Sequence, residues 1–229
     1  MKSQKKAAIV IGILFLIALV LNIIASEIFK PILDSADYLT KVYPQKHLIV
    51  VGNILNIICA IAMIFIPIVL FSVVTQIHRY LAIGYIVFRG LEGILFLYIA
   101  IKTFSFIDIS NKFLSSANTI NAFNLSIGNA LHSEIHWATV VYLIAFCCGA
   151  LMFYSLLLKS KLVPKWLSVW GLAAVLILTT GTIMDMFELG IFKTMPLMQG
   201  MTYFAPPIAL NEFVLSLWLI VKGFNISDQ

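Results

Sequence analysis

Arg89 and Glu92 stand inside a long apolar stretch, Gly84-Tyr85-Ile86-Val87-Phe88-Arg89-Gly90-Leu91-Glu92-Gly93-Ile94-Leu95-Phe96-Leu97-Tyr98. Three residues apart, they share one face of a helix. In hydrocarbon a lone charge costs at least ~2.5–3.5 kcal/mol on insertion scales. That face therefore has to turn into protein and find partners there. Glu212, in the last apolar run, is a second such carboxylate, and its own helix supplies no cation near it. Buried carboxylates beside an arginine can hold a proton or a polar ligand. They can also simply bridge helices.

The elements that position these groups follow from composition. The chain has 229 residues, 62% hydrophobic and 11% charged, with a mean hydropathy of +1.04. A soluble domain is nearer half apolar and a quarter charged, so this reads as a single multi-pass transmembrane domain, residues 1–229. Spans are expected at about 7–29, 47–75, 81–104, 137–158, 166–186 and 206–223. The first run is too long for a signal-peptide core and lacks a small-residue cleavage site, so it is taken as an uncleaved span. Pro67 is expected to kink the second span. Between spans three and four, Phe113, Ile120, Ile127, Leu131 and Ile135 recur at roughly helical spacing among polar residues. They predict an amphipathic interfacial helix, separate or running straight into span four. The fold class is an all-α membrane protein, a six-helix transmembrane bundle.

Charge sets the expected orientation. Lys2, Lys5, Lys6, Arg79, Lys159, Lys161, Lys165 and Lys222 fall on the side of both termini, in short connections. Basic residues favour the cytoplasm, so both termini are expected there, in the cell's cytoplasmic membrane. The net charge of +5 is thus a topology signal, and nucleic acid is not an expected partner. The expected partners are the lipid bilayer and a small molecule; oligomeric state is not legible. Cys59, Cys147 and Cys148 lie in apolar runs, where cysteine acts as a small hydrophobe.

Counting depth brings the polar groups together. Glu92 is eleven residues past Leu81 and Glu212 eleven before Gly223, each ~16 Å from the same face. Asn22, Asn53 and Asn56 fall in the outer half, within ~10 Å of those carboxylates in depth. Arg89, Glu92, Glu212, Asn53, Asn56 and Asn22 are the candidate ligand or proton pocket. A 3+3 inverted repeat is also admitted, because Pro44, Gly52 and Glu92 align with Pro164, Gly171 and Glu212 at offsets near half the chain. It would superpose spans two and three on five and six.

A weaker metal candidate is His132, His136, Asp185 and Glu188. The histidines are spaced i, i+4 and the carboxylates i, i+3 at the same membrane side, but the order is not that of a zincin helix. The bland reading of the four is solvated helix ends. No Gly-rich phosphate loop, G-x-S-x-G elbow or intramembrane Ser/His pair occurs, so no catalytic residue is assigned and no cofactor is expected.

Several stretches are similar to a known family. Phe88-Arg89-Gly90-Leu91-Glu92-Gly93, Leu151 to Leu157, Lys161 to Gly171, Pro207-Ile208-Ala209-Leu210-Asn211-Glu212 and Leu217 to Phe224 resemble motifs of the membrane family called domain of unknown function 4386, as does Pro31 to Pro44. The resemblance implies a multi-pass protein of the bacterial inner membrane and, by the family's name, no established activity. Within it, Asn56 stands where a glutamate is expected, and the His132/His136 pair lies outside the motifs. The functional expectation is a small transporter or ligand-binding protein with a mid-membrane polar pocket. The alternatives are an intramembrane enzyme on a lipid or peptide and a structural or regulatory partner of another membrane protein. The absence of a nucleophile with its base leans against an enzyme.

Overall fold

The structure, a computed structural model, describes residues 2–75, 77–116, 118–195 and 197–225. Each apolar run forms a helix: α1 (Lys2–Leu33), α3 (Lys46–Val74), α4 (Arg79–Ser115), α5 (Asn118–Ser160), α6 (Lys165–Met186) and α8 (Pro206–Val221). Short helices α2 (Tyr38–Lys41) and α7 (Leu197–Met201) and a 3₁₀ turn (Gly190–Lys193) lie in connections. Among the described residues there is no strand. Only helices and closed barrels satisfy the backbone in lipid, so an all-α membrane protein is what these runs must build. Pro67 sits inside α3 without ending it.

The long helices pack in chain order, α1 on α3, α3 on α4, α4 on α5, α5 on α6, α6 on α8 and α8 back on α1. The result is a closed ring. Its outer surface is apolar: Ile61, Phe65, Ile68, Val87, Ile94 and Ile101 are all exposed. Its interior holds Arg89, Glu92, Asn53 and Asn211. This arrangement suits lipid as the surrounding solvent.

The structure decides three expectations. First, the inverted repeat does not hold. A ring filled in chain order turns in one sense throughout, whereas a two-fold axis in the membrane plane reverses that sense. Spans two and three therefore cannot map on five and six with Glu92 and Glu212 both facing inward, as they do. Second, of the two forms expected between spans three and four, the continuous one holds: residues 105–115 prolong α4, and 118–137 run straight into span four as the start of α5. At 37 and 43 residues and ~1.5 Å per residue, both helices outrun a ~30 Å core and continue as an antiparallel hairpin beyond it. A second cluster, Ile32, Tyr38, Leu39, Val42, Ile49, Phe106 and Leu131, fixes that hairpin to the ends of α1 and α3. Ser110 clips α2 to it, donating to the Leu39 carbonyl at 2.6 Å and accepting from the Tyr43 N–H at 2.9 Å.

Third, the sixth span is short. Among the described residues, five helices are long and apolar enough to cross a membrane, while α8 has 16 residues, ~24 Å of helix. It runs antiparallel to α1 at close range, since a Cβ at Gly12 would lie 2.7 Å from the Ser216 carbonyl oxygen, and Gly223 sits beside Lys5. Counted along both helices from the Gly12–Ser216 contact, Pro206 is level with Asn22. Beyond Asn22, α1 has no α8 beside it.

Candidate functional site

At mid-bundle, α4 presents Arg89 and Glu92 on its buried face. The Arg89 Nη1 donates to both Glu92 carboxylate oxygens, at 2.7 and 2.8 Å. Its Nε donates to the Tyr85 hydroxyl at 3.2 Å. Its Nη2 lies 3.6 Å from Glu212 Oε1 on α8, an ion pair but longer than a charge-assisted hydrogen bond. The guanidinium also lies 5.2, 5.6 and 5.9 Å from the ring centroids of Phe146, Tyr85 and Phe15, within cation–π range. Arg89 is thus held on every side by the chain itself. Glu212 differs from Glu92: its side chain is 16% exposed, against 0%.

Beside this cluster lies a cavity of ≈ 80 Å³. Its polar wall is Arg89, Glu92, Glu212 and Asn22, and its aromatic wall is Phe15, Tyr142 and Phe146. Ala18, Leu19, Cys59, Met63 and Ile66 complete the apolar side. Asn22, on its wall, is exposed and stands level with the start of α8. Toward the termini, Ile11, Ile66, Leu70, Tyr85 and Phe153 form a packed layer.

Four of the six expected pocket residues therefore meet. Asn53 and Asn56 do not line the cavity. Asn53 is fully buried, and neither of its amide atoms finds a hydrogen-bond partner among the described residues. Gly93, next to Glu92, packs on Ile64 and Ala60 of α3, and Asn53 lies about nine residues of helix beyond that contact, ~14 Å, further than depth counting allowed. Arg89 also stands between the carboxylates, so they do not form the bare proton-sharing pair that depth alone suggested.

The metal candidate is not assembled. His136 Nε2 meets Asp185 Oδ2 at 3.4 Å. His132 turns away and packs between Tyr38 and Phe106, with ring centroids 4.5 and 4.6 Å apart, and Glu188 is exposed. Among the described residues no group of three or more His, Cys, Asp or Glu side chains is placed to hold a metal ion.

Sequence reading missed the aromatic wall. Tyr142 and Phe146 are spaced i, i+4 on span four, a spacing that puts them on one face and was the one available signal. It also missed the place of Cys59, whose thiol donates to the Ala18 carbonyl at 3.3 Å and lines the cavity.

Comparison with known families gives one match: residues 10–223 fit the family described as Domain of unknown function (DUF4386). The chain belongs to this family. Neither the curated proteins nor the solved structures include a match to this chain. The span shared with the family contains all four polar residues of the cavity and its aromatic wall. The family's description carries no activity, so function rests on the geometry.

Proposed function

We propose that this multi-pass membrane protein binds a small molecule in the Arg89–Glu92–Glu212 cavity and moves it across the membrane. The observation that carries the reading is the cavity itself, a space with four polar residues on its wall deep in an otherwise apolar bundle, with Asn22 exposed and a packed layer toward the termini. A purely structural bridge would need no such space. With the lysines of the short connections at the end of both termini, the reading places the termini in the cytoplasm and the cavity mouth outward. Glu212 is the group that would meet a ligand or a proton, because Glu92 is fully taken by Arg89.

A solute-independent measurement tests the pocket. In a background with Cys59, Cys147 and Cys148 changed to alanine, Ala18→Cys should react with iodoacetamide in the folded protein. Ala60→Cys, buried but not on the cavity, should not. Equal protection of both would remove the pocket and the proposal with it. Candidate solutes can then be screened by thermal stabilisation. A true ligand should stabilise the wild type and lose that effect in Glu212→Gln.

A further inference from the structure

The cavity wall carries two carboxylates against one guanidinium. With all three ionised it bears one net negative charge in a low-dielectric interior, where an unmatched charge is costly. Arg89 cannot recruit an anion cheaply, because Nη1 is held by Glu92, Nε by Tyr85, and Nη2 faces Glu212. The less fully matched group is Glu212. Its ion pair with Arg89, at 3.6 Å, is longer than a hydrogen bond, and it is the more exposed carboxylate. With two carboxylates against one guanidinium, the site can take one more positive charge.

The rest of the wall tells which kind. A hard metal cation takes about six or more oxygen ligands. The hard donors here are few, Glu212 and the Asn22 amide among them, and the remainder is aromatic ring, aliphatic carbon and the sulfurs of Cys59 and Met63. Aromatic faces together with a carboxylate suit an ammonium head carrying methyl or methylene groups. The volume of ≈ 80 Å³ limits the occupant to a few heavy atoms.

The route in follows from the short α8. Asn22 is both part of the cavity wall and exposed, and α8 begins level with it. Resting on the pocket reading above, we propose that the occupant is a small organic ammonium ion, entering past Asn22 and pairing with Glu212.

The test uses thiol reagents of opposite charge on Asn22→Cys, in the same cysteine-free background, in vesicles. Methanethiosulfonates carrying a trimethylammonium or a sulfonate group differ chiefly in charge at the mouth. The cationic reagent should react at least about tenfold faster than the anionic one, as expected for a cleft of one sign. That preference should fall to about twofold or less in Glu212→Gln and return in Glu212→Asp, which keeps the charge. Methylammonium should slow iodoacetamide at Ala18→Cys, while methanol and potassium ion should not. Equal rates for the two reagents, or protection by potassium as strong as by methylammonium, would overturn the ammonium assignment and leave the pocket standing. Failure of neutral iodoacetamide at Ala18→Cys would overturn both.

Discussion

Replacing Arg89 tests the energetics of the buried cluster most directly. Its side chain is 4% exposed and that of Glu92 0%. In Arg89→Met, Glu92 and Glu212 both lose their cation. Breaking a buried pair by removing one partner costs ~3–5 kcal/mol, and two stranded carboxylates place Arg89→Met at the top of that range. Glu92→Met should fall at the bottom, because Arg89 still has Glu212 at 3.6 Å, a gap that a small side-chain shift closes. The double substitution leaves one carboxylate, Glu212, near the surface of the cavity, so it should cost less than the sum of the singles by ~1–3 kcal/mol, the coupling of groups in one network. Reversible unfolding in mixed detergent micelles, titrated with a denaturing detergent, measures all three against Ile13→Met on the lipid-facing surface. Strict additivity, or an Arg89→Met no more harmful than Ile13→Met, would refute the picture of a coupled, desolvated cluster.

Two further outcomes follow from local geometry. A Cβ at Gly171 would clash with the ring of Tyr154, itself 1% exposed, so Gly171→Ala should destabilise by ~1–3 kcal/mol. Gly90 has open space, and Gly90→Ala should be neutral or stabilising by up to ~1 kcal/mol; the same unfolding assay separates them. Asp34, in the turn after α1, has its carboxyl pushed above the ordinary aspartate range by burial, with Lys30 offsetting part of this. The folded state therefore holds its proton more tightly than the unfolded chain, and stability falls as pH rises from below the unfolded value through the folded one. Asp34→Asn should remove that slope and raise the melting temperature at neutral pH, with little change in strong acid; a variant that melts lower at neutral pH would contradict this.

Much of the bundle was legible because lipid imposes strong rules. Apolar runs long enough to cross must become helices, and every run did so, although α8 stopped short. Arg89 and Glu92 were legible as a pair because i, i+3 contact is a property of one helix. The hairpin of α4 and α5 was less so, since its polar residues read equally as an interfacial helix. What decided it was tertiary: Phe106 and Leu131 find Tyr38, Ile32 and Ile49 to pack on, and a helix lying at the interface would leave them unpartnered.

The repeat shows the limit of alignment. Pro44 with Pro164 and Glu92 with Glu212 match by type and spacing, yet sequence carries no sense of rotation around a ring. Asn53 fails for a different reason: it faces inward, but α3 packs on α4 with Ile64 and Ala60 beside Gly93, a register that counting from assumed span ends does not supply.

Sequence by itself determined that this chain crosses the membrane repeatedly and that Arg89 must be met by a carboxylate, because hydrocarbon penalises each unpaired charge regardless of fold. Only the tertiary structure decided that Glu212 joins them across the ring, that Asn22 rather than Asn53 shares their cavity, and that Asn22 stands level with the start of α8. Those facts depend on the lateral packing of α1, α4, α5 and α8, and close packing is fixed by shape complementarity among side chains distant in the chain.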